Sequence, residues 1–392
     1  MAFQAPVRLL AAAKPSVPAA LLVAIASSTA VFAATPFLLP AVSEEYDVAI
    51  SSAGWMSTAQ LAGFVLASWV GGRFLRPVRS VFVIGTLIGV VANLASAAAP
   101  SFELLALTRF GSGVSLGLAA WIAWQAAFGN SEKTGDVAVV GPLVGMVMSP
   151  LIVALLESIG LRWLFVILAA ITATPLIWTR QVERTDRLRP HRTRLTPTRA
   201  ARAILLALGA ITLGGSSVFV YAAAIGKDLD GLSPLTVSLL FSGNALAAIP
   251  AARWTGRRGP AGVWFVATAM CAFAIAASRS GVVFGAAVVG WGFVFFMGIP
   301  AAFKLLAERS SFPEERAGDA QAMMALGRVF GPILGGTLLA AGSEVTLGVV
   351  SASVMSMGGF LLLYVDRQRF VAVRQYGAWA AARASVDAAE HA

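Results

Sequence analysis

Two arginines inside apolar stretches are the residues of this chain whose type and position could do chemistry. Arg109 and Arg328 each lie within an apolar run that is long enough to cross a bilayer. An arginine at the centre of a membrane helix costs roughly 2.5–3.5 kcal/mol to insert, so it usually faces a wet cavity or a partner. Arg328 lies about ten residues into its run, which is roughly 15 Å deep at the rise of an α-helix. We predict that Arg328 contacts a substrate or an anion, with a structural pair between helices as the alternative.

Arg109 lies roughly 10 Å from the end of its run, where a long side chain can reach the membrane interface. Positions 109, 113, 117, 120 and 124 share one helix face, which places Arg109 above Trp124. Trp121, Trp124 and Gln125 could form a polar and aromatic cluster near the inner end, and an interfacial aromatic belt is the alternative that we favour for the two tryptophans. We predict that Arg109 acts as a gate or as a brace between helices.

Four uncharged polar side chains within the apolar runs could hydrogen-bond a solute. They are Gln60, Asn93, Tyr221 and Asn244. Side chains of this kind also form hydrogen bonds between membrane helices, which is the alternative that we favour for each of them individually.

Carboxylates lie only at the ends of the runs. The acids concerned are Glu103, Asp136, Glu157 and Asp319. A protein that exports cationic drugs in exchange for protons generally needs a carboxylate buried in the membrane. We therefore expect an organic anion or a neutral amphipath as the ligand. Asp136 is the remaining candidate for proton coupling, and stabilisation of a helix N-terminus is its alternative role.

Residues that would support an enzyme are missing from the apolar runs. Both histidines, His191 and His391, lie in hydrophilic segments, so the sequence offers no metal cluster and no pair of nucleophile and base. The glycines after Arg109 lie inside an apolar run, where a phosphate cradle is implausible, and no P-loop consensus occurs. We predict neither an enzyme nor a bound cofactor or metal.

The elements that must position these residues are twelve apolar runs. Hydrophobic residues make up 58% of the 392-residue chain and charged residues 12%, which is more apolar surface than a soluble domain of this length could bury. The sequence thus predicts an all-α integral membrane protein with twelve transmembrane helices. The predicted spans are 17–42, 51–73, 79–98, 102–129, 135–157, 161–179, 203–226, 234–254, 260–278, 281–305, 318–341 and 344–365.

The net charge of +10 is explained by the orientation of these helices. Most Lys and Arg residues fall in the segments that lie inside the cell when the N-terminus is inside, whereas Glu44, Glu45 and Asp47 fall in the first outer loop. This asymmetry predicts that both termini are cytoplasmic. We expect the bacterial cytoplasmic membrane as the location and no binding of nucleic acid.

A hydrophilic stretch at 180–202, with eight Arg residues, separates the first six runs from the last six. Shifting the first half by 182 residues lays Gly145 on Gly327, Pro150 on Pro332 and Arg76 on Arg258. A duplication of one six-helix bundle explains these matches. We predict bundles at 1–185 and 203–370, a cytoplasmic basic linker at 186–202 and a cytoplasmic tail at 371–392.

At these motifs the chain resembles the major facilitator superfamily, and the resemblance covers residues 15–366. The loop after the second run keeps the family's basic residues Arg73 and Arg76, but Gly72 stands where the family has an aspartate. The fourth run matches the family's arginine with spaced glycines, through Arg109 and the glycines that follow it. The resemblance implies that Arg109 is part of a proton pathway or braces the helices.

The family's exporters carry a glycine–proline motif in the fifth helix, which here is reduced to Gly145, Ser149 and Pro150. The eleventh run holds a complete version. Its residues are Gly327, Gly331, Pro332, Gly335 and Gly336. Small residues let helices approach closely and proline distorts them, so we expect these positions to form the contact along which two halves rock. Tight packing without such a role is the alternative.

The resemblance implies a secondary transporter that works by alternating access on a small molecule, as a monomer and without a cofactor. Coupling to protons and export are expected. Uptake of a small organic anion by proton symport is one alternative. A membrane receptor or scaffold that does not transport is an alternative of another class.

Overall fold

The computed structural model describes residues 17–127, 131–182, 196–228, 231–252, 254, 257–310 and 313–390. Every regular element within these ranges is a helix, which confirms the all-helical class. The α-helices are α1 (Ala19–Glu45), α2 (Ile50–Phe74), α3 (Arg79–Ala97), α4 (Phe102–Ala127), α5 (Ser131–Ala173), α6 (Arg199–Phe219), α7 (Ala222–Asp228), α8 (Pro234–Ala252), α9 (Ala261–Ala277), α10 (Gly281–Glu308), α11 (Pro313–Ala341) and α12 (Glu344–Glu390). A short 3-10 helix, Thr174–Gln181, follows α5.

The helices follow the predicted spans except at α5, at α6 and α7, and at α12, which continues beyond position 365 to Glu390. α5 covers the span at 135–157 and the first part of the span at 161–179, whose end lies in the 3-10 helix, and Gly160 interrupts α5 with a φ of 79°. That conformation is open to glycine at little cost, so one residue both joins and bends the two spans. The predicted span at 203–226 is instead divided between α6 and α7, which are separated at Val220 and Tyr221.

Nine segments of the described residues are long and apolar enough to cross a membrane, and α9 is apolar but has only 17 residues. The protein is therefore a multi-pass membrane protein, while the number of twelve crossings stays a prediction. We call the end that holds Glu45 and Ser51 the predicted outer end, and the opposite end the predicted cytoplasmic end.

The helices pack in two groups. In the first group α4 packs on α2 and α3, and α5 packs on α1 and α3. In the second group α12 packs on α6 and α9, α10 packs on α8 and α9, and α11 packs on α6. The groups meet where α2 packs on α11, α5 on α8, and α1 on α7. The predicted repeat relates α2 to α8 and the first part of α5 to α11. The contact of α2 with α11 is therefore the counterpart of the contact of α8 with α5.

The predicted limits of the two bundles remain predictions. Residues 183–195, which form most of the predicted linker, lie outside the described residues. The predicted tail at 371–392 overlaps the backbone of α12, which continues to Glu390, but the side chains beyond position 368 are outside the description.

Glycines on α4 bring α2 close enough to determine where the candidate site residues lie. A Cβ atom at Gly113 would lie 1.8 Å from the carbonyl oxygen of Gln60, and one at Gly117 would lie 2.3 Å from that of Phe64. Only a residue without a side chain permits this approach. The close contact holds α2 beside the side chain of Arg109, one turn away on α4.

Candidate functional site

A cavity of about 430 Å³ lies where the two groups of helices meet. Its walls come from α1, α2 and α5 on one side and from α6, α8, α10 and α11 on the other. Much of the surface is aromatic: the ring of Phe219 lies 5.0 Å from that of Phe241 and 5.4 Å from that of Trp291. Phe37 of α1 approaches Phe241 of α8 at 5.3 Å between ring centroids, which joins the two groups beside the cavity.

Arg328 lies in the wall of this cavity and is partly exposed to it. Its neighbours on α11 fix its direction: Cβ atoms at Gly327 and Gly331 would lie 2.3 Å and 1.8 Å from atoms of α6. Arg328 follows Gly327 directly and is therefore turned by about 100° from the contact with α6, on the side of α11 that lines the cavity. Among the described residues, the guanidinium of Arg328 has no hydrogen bond and no ion pair. A cation without a partner beside an apolar wall is suited to bind an anion.

Arg109 has a different environment, since it is fully buried and lies outside the cavity wall. Its Nη1 donates to Oδ1 of Asn93 at 2.7 Å, while Nε and Nη2 donate to Oε1 of Gln60 at 3.2 and 2.9 Å. The guanidinium carbon also lies 5.3 Å from the centre of the Phe165 ring. Arg109 therefore connects α2, α3, α4 and α5 through neutral partners, which is the geometry of a brace.

The predicted polar residues divide between the cavity and the helix contacts. Gln60 and Asn244 line the cavity, and Nδ2 of Asn244 donates to the carbonyl oxygen of Val288 on α10 at 2.6 Å. Asn93 lies away from the cavity, where its Nδ2 donates to Gly89 and to Oγ1 of Thr172. All three side chains thus make hydrogen bonds to other helices.

Tyr221 lies at the predicted outer end, fully buried and outside the cavity wall. Its hydroxyl donates to the carbonyl oxygen of Pro332 at 2.9 Å and lies 3.4 Å from that of Ser51. Glycines leave room for the ring: Cβ atoms at Gly54, Gly335 and Gly336 would lie 1.8, 2.7 and 2.8 Å from atoms of Tyr221. We call Tyr221 and these three glycines the tyrosine slot. It holds α2 and α11 together across the two groups.

Trp124 and Gln125 are both exposed and are not part of the cavity wall, so the structure does not bring them to Arg328. The indole that packs between helices is that of Trp121, since a Cβ atom at Gly71 would lie 2.7 Å from it. The side chain of Asp136 lies outside the described residues.

The two basic turns of the predicted repeat differ in their contacts. Gly72 and Arg76 are exposed, and the side chain of Arg73 lies outside the described residues. Arg258, the counterpart of Arg76, donates to carbonyl oxygens of Ala251 at 2.7 Å and of Phe296 at 3.1 Å. Burial lowers the pKa of the Arg258 guanidinium from its ordinary value. Arg258 therefore ties the end of α8 to α10.

The incomplete glycine–proline motif lies on the contact between the groups. A Cβ atom at Gly145 would meet that of Ala245 on α8 at 3.6 Å. Oγ of Ser242 donates to the carbonyl oxygen of Met146 at 2.7 Å. Pro150 lies within α5, four residues beyond Met146.

Sequence reasoning did not single out several residues of the cavity wall. They are Thr35, Ser57, Thr212, Ser216, Phe219, Phe241 and Trp291. Hydroxyls and rings are common in membrane helices, so their type carries little signal without the helix packing. Their position near the middle of the runs was the available clue.

The comparisons with known proteins agree with this architecture. The family model described as Major Facilitator Superfamily matches residues 20–325. The Lincomycin resistance protein of Streptomyces lincolnensis is 31% identical over 141 residues, which are 33% of this chain and 28% of that protein. The chain thus matches less than a third of the length of that relative.

Two solved structures have similar folds. The human organic anion transporter MFSD10 (TETRAN) has a TM-score of 0.64 at 14% identity, over 88% of this chain and 97% of that chain. A mutant form of the nucleoside transporter NupG has a TM-score of 0.64 at 13% identity, over 88% of this chain and 98% of that chain. At these identities the likeness concerns the fold.

Proposed function

Because the chain belongs to the Major Facilitator Superfamily, we propose that it exports a small organic anion or a neutral amphipath by alternating access, coupled to protons. The observation that carries this proposal is Arg328, whose guanidinium is unpaired within the described residues and lines the cavity between the two helix groups. Transport by this family provides the premise. The charge of the substrate, the direction of transport and the coupling to protons are the parts that we propose.

The wall of the cavity favours an anion over a cation. Among its described residues Arg328 is the one charged side chain, and the others are apolar, aromatic, hydroxyl or amide. A cationic ligand would meet like charge at low dielectric, which is unfavourable. An anionic group could pair with Arg328 while its apolar part packs against Phe219, Phe241 and Trp291. A neutral amphipath would use the same rings and hydroxyls.

Alternating access is supported by the position of the contacts between the groups. The tyrosine slot and the contact of α1 with α7 lie at the predicted outer end, so opening there requires Tyr221 to leave its glycines. The helix contacts that would slide hold small residues, which are Gly145 on α5 and the glycines from Gly327 to Gly336 on α11. We propose that the two groups rock about these contacts.

Direction and coupling are supported more indirectly. The partial match to a resistance protein favours export, and Asp136 is the candidate that would carry a proton. We propose a monomer in the bacterial cytoplasmic membrane, with both termini inside and no cofactor. Proton symport of a small organic anion into the cell is the second candidate, because Arg328 would serve uptake equally well. A receptor or scaffold of the same fold would bind without flux.

Flux in proteoliposomes tests the proposal with three naphthalene derivatives that differ in charge. Naphthalene-2-sulfonate is the anion, 2-naphthyltrimethylammonium the cation and 2-naphthol the neutral compound. We expect flux of the sulfonate in response to an imposed pH gradient, and Arg328→Met should lower it at least tenfold. Arg162→Met is the matched control, because it removes an exposed arginine at the predicted outer end.

The direction of the effective gradient separates export by antiport from uptake by symport. Preferred flux of the cation, or equal flux in wild type and Arg328→Met, would contradict the anion site. Sulfonate binding without flux under any gradient would favour the receptor or scaffold.

A further inference from the structure

Three polar atoms in the wall of the central cavity have no hydrogen-bond partner within the described part of the chain. They are Oγ1 of Thr35, Oγ of Ser57 and Nε2 of Gln60. These residues are 8%, 1% and 1% exposed, so bulk solvent does not satisfy the atoms. An unpaired polar group buried in this way costs free energy, so a cluster of three on adjacent helices calls for a functional reason.

Two other buried hydroxyls of this protein show the ordinary alternative. Oγ1 of Thr86 donates to the carbonyl oxygen four residues earlier at 2.8 Å, and Oγ of Ser149 does the same at 2.9 Å. Serine and threonine in helices commonly bond their own backbone in this manner. The hydroxyls of Thr35 and Ser57 instead have no partner among the described residues, although both residues line the cavity.

The direction of the Gln60 amide is determined by Arg109. A guanidinium only donates hydrogen bonds. The atom of Gln60 that accepts the hydrogen bonds from Nε and Nη2 of Arg109 must therefore be its carbonyl oxygen. The amide nitrogen is then turned away from Arg109, and its two hydrogens have no partner within the described residues, in a residue that lines the cavity. The adjacent positive charge polarises the amide and strengthens it as a donor.

We propose that Thr35, Ser57 and Gln60 form a second subsite, which binds a neutral hydrogen-bond acceptor, such as a carbonyl oxygen, on the transported anion. This inference rests on the proposed function and specifies its substrate class: an aromatic anion whose charged group pairs with Arg328 and whose apolar body carries a separate carbonyl group. The acceptor subsite belongs to α1 and α2, whereas Arg328 belongs to α11. One ligand therefore bridges the two groups of helices, and Arg109 is a positioning residue that acts through Gln60.

Binding of two benzoates of nearly equal shape tests the acceptor subsite. The probes are 4-acetylbenzoate, which carries a carbonyl oxygen, and 4-isopropylbenzoate, in which a methyl group replaces that oxygen. Their dissociation constants are measured on the full chain in lipid nanodiscs by calorimetry. The readout is the ratio of the two constants, which cancels effects common to both probes.

Gln60→Glu is the decisive variant, because glutamate has the same shape and still accepts from Arg109 but has no N–H groups. Removing one donor from a site built for it changes affinity by about tenfold. We expect Gln60→Glu to shift the ratio at least tenfold against 4-acetylbenzoate. Asn93→Asp is the matched control, since it places the same charge on the same guanidinium away from the cavity. Its ratio should stay that of the wild type.

Thr35→Val and Ser57→Ala separate ligand binding from a structural role. Each removes a hydroxyl that is unpartnered within the described residues, so thermal stability should not fall while the ratio shifts several-fold. An equal shift in Gln60→Glu and Asn93→Asp, or an unchanged ratio in Gln60→Glu, would overturn the acceptor subsite.

The proposed anion site and the acceptor subsite can be refuted independently. If Arg328→Met weakens both probes equally and Gln60→Glu leaves the ratio unchanged, only the acceptor subsite is wrong. If Arg328→Met leaves both dissociation constants unchanged, the proposed anion site is wrong. Failure of both probes to bind the wild type would overturn both proposals.

Discussion

Gly54→Ala should open the predicted outer end of the protein, because it fills the tyrosine slot. The new methyl group would lie 1.8 Å from the hydroxyl oxygen of Tyr221 and 2.8 Å from the adjacent ring carbon. The ring must then move, and its hydrogen bond to the carbonyl oxygen of Pro332 is lost. Overpacking of this kind costs about 1–3 kcal/mol, and a coupling of that size changes a conformational equilibrium by about 5- to 150-fold.

Tyr221→Phe provides the second arm of a double-mutant cycle. Alone, it removes the hydroxyl that contacts Pro332 and Ser51, which should cost about 0.5–1.5 kcal/mol. Combined with Gly54→Ala, it also removes the atom that the new methyl group meets first. The two changes should therefore not add, and we expect an interaction energy of about 0.5–3 kcal/mol.

The assay is the rate at which an impermeant thiol reagent, added from outside, labels a cysteine at Ala33 in the cavity wall. Cys271→Ala removes the single native cysteine from the background. The rate should rise about 5- to 150-fold in Gly54→Ala and less in Tyr221→Phe. Gly72→Ala is the matched control on the same helix, because its nearest contact would be an ordinary 3.7 Å. A labelling rate in Gly54→Ala that equals the wild-type rate, or an equal rise of the rate in Gly72→Ala, would refute the role of the tyrosine slot.

Three further predictions concern stability, measured as thermal unfolding of the purified protein. Arg109→Met should lower the free energy of unfolding by about 2–4 kcal/mol, because it leaves two buried amide oxygens without their donor; an unchanged melting temperature would contradict its role as a brace. Gly113→Ala should destabilise by at least about 1–3 kcal/mol, since its Cβ would lie 1.8 Å from a backbone oxygen of α2. Gly111→Ala, with its nearest neighbour at 3.4 Å, should cost much less, and equal costs would count against close packing of α2 on α4. Glu45→Gln removes the exposed ion pair with Arg162 and should change stability by less than about 1 kcal/mol.

The sequence predicts the membrane class because bilayer thickness fixes the length of an apolar run, whatever the helices pack against. It also singles out Arg328 as a candidate site residue, since charge at mid-span is costly for any fold. The sequence did not predict that α5 continues through the bend at Gly160, because a glycine between two apolar runs is equally compatible with a loop. The division between α6 and α7 at Tyr221 depends on tertiary contacts that no local pattern specifies.

The partners of the site residues depend on helix packing and could not be read from spacing. Arg109 and Gln60 are 49 positions apart, and only the close approach of α2 to α4 brings them together. The shared face of α4 places Arg109 beside the glycines that follow it, but it says nothing about whether Trp124 faces lipid or a cavity. Tyr221 was predicted as a polar residue for a solute or a helix contact, and the glycines around it decide its position.

Paired distances across the two helix groups test alternating access most directly. In a cysteine-free background, spin labels at exposed positions Asp47 and Arg279 report on the predicted outer end, and labels at Ser80 and Arg257 report on the predicted cytoplasmic end. When naphthalene-2-sulfonate and a change of pH are applied together, we expect the outer distance to lengthen as the cytoplasmic distance shortens. Distances that stay fixed, or that lengthen at both ends together, would contradict the account.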